Sequence, residues 1–132
     1  MNYDRPKLLL VQRDPQTSAL IAFRLSLLGF EITAVFHETE VPTYSEPESV
    51  PDLALIDLRS GDGTNLELIK RLRSFAQTQE VPVIACSSDS SPEAVRSAFL
   101  AGANDYLLLP FDPVIMEQKI EKLLSPVSEG IA

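Results

Sequence analysis

One carboxylate stands where chemistry is expected. In the stretch Pro51-Asp52-Leu53-Ala54-Leu55-Ile56-Asp57-Leu58-Arg59 the residues from Leu53 to Ile56 are apolar throughout, and Asp57 closes the run. Such a run, bounded by Pro51 and by Ser60-Gly61-Asp62-Gly63, predicts a central parallel strand buried on both faces. An acid at the carboxyl end of that strand lies in the crevice beyond the strand tips, where open α/β sheets place ligands and reactive groups. The plain alternative is that Asp57 opens a turn, a role its side chain suits. Other reactive types are scarce. His37 is the only histidine and Cys86 the only cysteine, and no phosphate-cradling glycine loop follows the first strand. A flavin or nucleotide enzyme is therefore not predicted, and neither is nucleophilic catalysis by an Asp57–histidine arrangement.

The elements that position Asp57 follow from the rest of the chain. Lys7 to Val11 is a second buried-strand run, stopped by Gln12-Arg13-Asp14-Pro15. Asp14 before Pro15 predicts a helix N-cap with proline at the first helical position, and Gly29 predicts the stop. Leu20, Ile21, Phe23, Leu25, Leu27 and Leu28 supply that helix with apolar residues at spacings of three and four. Glu31 to Phe36 predicts strand two. His37 to Pro51, with Pro42, Pro47 and Pro51, predicts at most a short or irregular second helix. Asn65 to Ala76 predicts a helix with Leu66, Leu68, Ile69, Leu72 and Phe75 on its apolar face. Val81 to Cys86 predicts strand four. Ser91-Pro92 opens the next helix, with Val95, Phe99 and Leu100 as its apolar residues and Gly102 as its end. Tyr106 to Leu109 predicts strand five, and Pro113 to Leu124 the last helix. Strands alternating with helices throughout imply a parallel sheet with right-handed crossovers and helices on both faces.

The global numbers agree with one such domain. The chain has 132 residues, 45% of them hydrophobic, which is enough for a sizeable core. With 19 acidic against 11 basic side chains its formal charge is -8, so the segment is not itself an electrostatic nucleic-acid binder. The lone Cys86 predicts a buried small hydrophobe in a cytoplasmic setting. No stretch is long and apolar enough for a membrane span or a signal peptide. Residues 125–132 lose apolar periodicity and predict the start of a linker after a domain at 1–124.

Taken together, Pro51-Asp52-Leu53 with Asp57, Val81-Pro82-Val83-Ile84, and Ala101-Gly102-Ala103-Asn104-Asp105-Tyr106-Leu107 followed by Pro110-Phe111 carry a resemblance. From Lys7 to about Leu124 the chain resembles the receiver domain of two-component response regulators. The resemblance implies a flavodoxin-like, doubly wound, five-stranded sheet, with Asp57 matching the aspartate that accepts a phosphoryl group from a histidine kinase. That transfer ordinarily needs a divalent cation with oxygen ligands to offset like-charge repulsion. The family places acids after strand one to hold Mg²⁺; here Gln12 and Arg13 stand there, with only Asp14 left. The family's lysine after strand five is replaced by Leu109. Gly61 and Thr64-Asn65 depart from the family's loop, in which Arg59 also lies. Asp57 and the hydroxyl of Ser87 survive. No cofactor is expected, and the phosphorylation machinery is mostly dismantled. A guanidinium pairs with a carboxylate in bidentate fashion, so Arg13 is expected to pair with Asp57 and fix the pocket in one state; the alternative is an ordinary loop arginine pointing to solvent.

The resemblance also implies an output face made of helix 4, strand 5 and helix 5. Tyr106 matches a switch aromatic whose companion hydroxyl is Ser87. Asp105 and Lys119 match an intermolecular ion pair of regulators similar to the OmpR/PhoB class. Val95 and Ile115 replace another such pair and, with Phe99, form an apolar patch; alternatively Val95 and Phe99 fill the core side of their helix. The chain is thus expected to be an atypical receiver, homodimerising through this face. It would control an effector outside this segment, a DNA-binding transcription module being the commonest kind. The alternatives are a stand-alone receiver-like adaptor that binds other regulatory proteins, and a conventional receiver phosphorylated on Asp57. The Gln12-Arg13 and Leu109 departures resemble the NblR type of cyanobacterial orphan regulator, which is associated with stress-induced antenna degradation.

Overall fold

The computed structural model describes residues 5–60 and 63–124. The linker expected at 125–132 and the residues Gly61 and Asp62 lie outside the described residues. Five parallel strands form the main sheet: β1 (Lys7–Val11), β2 (Glu31–Val35), β3 (Leu53–Asp57), β6 (Val83–Ser87) and β7 (Asp105–Leu108). They lie in the order β2-β1-β3-β6-β7. A two-residue ribbon, β4 (Arg59–Ser60) against β5 (Gly63–Thr64), rises from the end of β3. The described residues also form four α-helices: α1 (Pro15–Leu27), α2 (Leu66–Ser74), α3 (Pro92–Ala101) and α4 (Pro113–Leu124). This is the doubly wound, flavodoxin-like arrangement expected from the sequence. The strand order reverses between β1 and β3, and Asp57 lies at that switch point.

The central strands are apolar on both faces because both faces are covered. Leu9, Val11, Ala54, Ile56 and Val83 point into one core with Leu68, Ile69 and Leu72 of α2 and Ala98 and Ala101 of α3. The alternate residues Leu8, Leu10, Leu53, Leu55 and Ile84 point into the other, with Ile21 and Leu25 of α1 and Met116 and Ile120 of α4. The caps form as their sequences predict. Asp14 accepts the Thr17 amide at 2.9 Å with Pro15 behind it, and Ser91 accepts the Ala94 amide at 3.2 Å ahead of α3. Residues 37–51 contain only two single-turn 3₁₀ helices, Glu38–Glu40 and Pro47–Ser49. The prolines there remove amide donors that an α-helix needs.

The apolar residues of the helices are distributed differently from the expectation. On α1, Leu20, Phe23, Leu27 and Leu28 are all more than half exposed; Ile21 and Leu25 alone carry its large apolar contacts. On α3 the core side is Ala98 and Ala101, while Phe99 and Leu100 face out. Val95 is half-buried. The alternative in which Phe99 fills the core is thereby corrected: only alanine side chains fit where α3 packs closely on the sheet. Phe75 falls just past α2, in extended backbone, and is 51% exposed.

Candidate functional site

Asp57 ends β3 with 3% of its surface exposed. The strand does not stop cleanly there: the Leu58 amide continues the ladder to the Cys86 carbonyl at 2.8 Å. The chain then folds back as the β4–β5 ribbon. Two contacts fix the acid in that turn. The Arg59 amide donates to Asp57 Oδ1 at 3.0 Å, and Asn65 Nδ2 donates to the Asp57 carbonyl at 2.7 Å. Asn65 had no assigned role in the sequence, because an amide eight residues downstream gives no local signal. Asp57 Oδ2 and Asn65 Oδ1 are buried and accept no hydrogen bond. A buried carboxylate oxygen is costly unless a polar group or water reaches it, and this one lies beneath a cleft.

An open cleft of about 460 Å³ lies over Asp57, with Gln12, Arg59, Ser87 and Leu109 on its walls and Phe111 and Leu20 at its rim. The structure thus brings together four of the six residues expected beside Asp57. Arg13 and Asp14 lie outside its lining. Gln12 is 2% exposed and turns its Oε1 to the Asp14 amide at 3.0 Å. Asp14 Oδ2 accepts the Thr17 amide and the Thr17 hydroxyl, so its carboxylate serves α1. Those two donors, the hydroxyl first, hold its carboxyl below the usual carboxylate range, with a smaller contribution from the Arg59 charge.

The Arg13–Asp57 pair expected from the sequence is not formed. Asp57 Oδ2 accepts no hydrogen bond, and Arg13 is exposed on the loop after β1. Arg59, two residues past the acid, is the arginine on the cleft wall. Leu109 packs partly buried against the α1/α4 core, and its amide continues the sheet to the Ser87 carbonyl at 2.8 Å. Cys86, beside Asp57 in the ladder register, is fully enclosed; burial, and then the Asp57 charge, push its thiol far above its ordinary value. Among the described residues no three His, Cys, Asp or Glu side chains gather as a metal site.

Ser87 and Tyr106 are joined through a third residue that the sequence did not single out. Ser87 Oγ accepts the Asp89 amide at 3.0 Å, and Tyr106 Oη donates to the Asp89 carbonyl at 2.7 Å. Asp89 in turn accepts the Ser91 amide at 2.9 Å at the start of α3. On the far side of β7, Lys119 Nζ lies 3.0 Å from Asp105 Oδ1 within the same chain. These two residues, expected to pair between two copies, also meet within one chain, because α4 passes beside β7. Phe99, Leu108 and Ile115 remain 45–47% exposed around it.

The doubly wound sheet thus carries a buried acid at its switch point, beside a strand-end hydroxyl and a tyrosine linked to it through Asp89. Residues 8–121 match the model of the response regulator receiver domain. The chain belongs to that family. It is 28% identical over 119 residues to the chemotaxis protein CheY1 of Helicobacter pylori, covering 89% of this chain and 96% of that one. It is 28% identical over 123 residues to the phosphate regulon transcriptional regulatory protein PhoB of Klebsiella pneumoniae, covering 92% of this chain but 53% of the regulator. The chain thus spans about half the length of that curated relative. The crystal structure of the receiver domain of the sensor histidine kinase PA1611 from Pseudomonas aeruginosa, which has a magnesium ion in its active-site cleft, superposes with a TM-score of 0.78 at 22% identity. The two superposed parts cover 91% of this chain and 98% of that domain. Receiver domains are signalling domains that act by contacting regulatory proteins such as kinases and effectors. No helix among the described residues is long and apolar enough to cross a membrane.

Proposed function

We propose that this receiver domain signals largely without phosphorylation, as a cytoplasmic protein-contact module. The observation that carries this reading is what surrounds Asp57: Leu109 stands on the cleft wall where the family has lysine, and Gln12 turns its only acceptor toward the Asp14 amide. Mg²⁺ keeps several of its waters and is held by one or two protein carboxylates. Asp57 Oδ2 is one such oxygen, whereas Asp14 Oδ2 is taken by Thr17 and Asp14 does not line the cleft. Mg²⁺ is therefore poorly held, and a phosphoryl group would meet no lysine ammonium. The Tyr106–Asp89 hydrogen bond supports a switch that rests in one state without chemistry at Asp57.

The half-length match to a transcriptional regulator supports control of a DNA-binding effector beyond this segment, by way of the α3–β7–α4 surface. Phe99, Leu108 and Ile115 form the apolar part of that surface, on which the domain homodimerises. The loss pattern at residues 12, 13 and 109 supports a place among NblR-type orphan regulators of stress responses. The near full-length match to a chemotaxis protein favours a second reading, a stand-alone adaptor. A conventional phosphoacceptor is favoured by one feature only, the orphaned Asp57 Oδ2 over an open cleft.

Incubation with acetyl phosphate and Mg²⁺, followed by intact-mass measurement, tests the proposal. No added phosphoryl mass is expected. Stoichiometric modification that Asp57→Asn abolishes would overturn it.

A further inference from the structure

A second cleft belongs neither to the Asp57 site nor to the α3–β7–α4 surface. It lies where residues 37–51 form two 3₁₀ turns in place of an α-helix. Between the two 3₁₀ turns the chain drapes loosely across the end of α2, anchored by Val41, which is 8% exposed, and by the ring of Tyr44, which packs on the same core. Leu72, Phe75 and Thr78 form the facing wall. The enclosed volume is about 520 Å³, within the range of small-molecule sites.

The lining has a specific chemistry. Tyr44 and Phe75 present aromatic surface, and Phe75 is 51% exposed. The Tyr44 hydroxyl makes no hydrogen bond among the described residues, although its ring is half-buried. Burial pushes that phenol above its ordinary value, so it stays a neutral donor. Arg71 is the one cation on the lining; its Nη1 lies 3.7 Å from Glu38 Oε2, too far for a hydrogen bond, with side chains 43% and 39% exposed. Its planar fork therefore keeps donors available for a carboxylate. Glu38 beside it disfavours a dianion such as phosphate. Thr78 is no competitor, since its hydroxyl donates to the Leu72 carbonyl.

We propose that this cleft binds a small planar aromatic monocarboxylate, its ring against Tyr44 and Phe75 and its carboxylate on Arg71. The inference is independent of whether Asp57 is ever phosphorylated. It gives the domain a ligand site at the opposite end of α2 from Asn65, the residue that holds the Asp57 carbonyl.

Titration of the ¹⁵N-labelled 132-residue chain with 2-naphthoate tests it. Saturable amide shifts are expected within residues 39–45 and 71–78, with weaker binding of the neutral 2-naphthamide. Arg71→Met is expected to weaken naphthoate by about tenfold, the worth of one charge-assisted hydrogen bond, and to leave the amide unchanged. Phe75→Ala, at an exposed position that spares the fold, is expected to weaken both. Absence of saturable shifts, shifts centred instead on Gln12, Ser87 and Phe111, or naphthoate binding indifferent to both substitutions would overturn the proposal.

Discussion

Ser87 and Tyr106 hold the backbone of one residue: the serine hydroxyl accepts the Asp89 amide at 3.0 Å, and the tyrosine hydroxyl donates to the Asp89 carbonyl at 2.7 Å. The loop between β6 and α3 is thereby tied to the strand end next to Asp57 and to β7 at once. A movement of Ser87 is thus coupled to Tyr106 through Asp89, beside the direct β6–β7 ladder.

Tyr106→Phe removes the donor and leaves the Asp89 carbonyl to solvent. It is expected to cost about 1 kcal/mol in urea unfolding. Ser87→Ala should cost a similar amount, and the double variant less than the sum, because both substitutions release the same loop. Amide exchange at Asp89 and Ser91 should quicken in each. Strict additivity with unchanged exchange would show that the two contacts are independent.

The junction of α2, β6 and β7 depends on Arg73. Its guanidinium donates to the carbonyls of Gly102, Gln79 and Val81 and to Asn104 Oδ1, over 2.6–3.2 Å. Gly102 is part of the same fit: its φ is +123°, and a Cβ there would lie 2.7 Å from Arg73 Cγ. Gly102→Ala is therefore expected to destabilise by about 1–3 kcal/mol, from backbone strain together with displacement of the arginine. Arg73→Met should lose a comparable amount by orphaning the carbonyls. Denaturant midpoints measure both.

Three carboxylates tie acid stability to local caps. The Thr17 hydroxyl and amide lower the pKa of Asp14, the His37 and Phe36 amides that of Glu40, and the Ser91 amide and hydroxyl that of Asp89. Because the folded values lie below the ordinary 3.8 for Asp and 4.5 for Glu, the unfolded chain binds protons first as pH falls. The stabilisation is fully present above those ordinary values and is lost as pH drops through the folded ones. The urea midpoint should fall between about pH 5 and pH 3. Asp14→Asn keeps a capping oxygen but removes its titration, so its profile should be flatter over that window.

Much of this fold is legible in the sequence because its central strands are unbroken apolar runs. Lys7–Val11 and Leu53–Asp57 admit few other readings, and the Asp14-Pro15 and Ser91-Pro92 pairs place two helix starts by local chemistry alone. The outward faces were not legible. On α1 apolar residues occur on nearly every side, so periodicity cannot tell the buried Ile21 and Leu25 from the exposed Phe23 and Leu27. In α3 close packing selects Ala98 and Ala101 over the larger Phe99 and Leu100. At the site, types and order located Asp57, Ser87 and Leu109 together. They also placed Arg59 there, but could not show that Asn65 holds the Asp57 carbonyl, that Asp89 joins Ser87 to Tyr106, or that Arg13 lies outside the cleft lining. Those contacts involve backbone groups brought together by loop geometry, which leaves no pattern in residue types.

The most direct test of phosphorylation-independent signalling is an amide NMR titration with Mg²⁺ and then beryllofluoride, followed at Asp57, Ser87, Asp89 and Tyr106. The donors around Asp57 predict no saturable response to either addition, and a response gained when Arg13→Asp restores an acid at the family's position. Saturating shifts in the unaltered chain that spread from Asp57 through Asp89 to Tyr106 would contradict the account and identify a working phosphoacceptor.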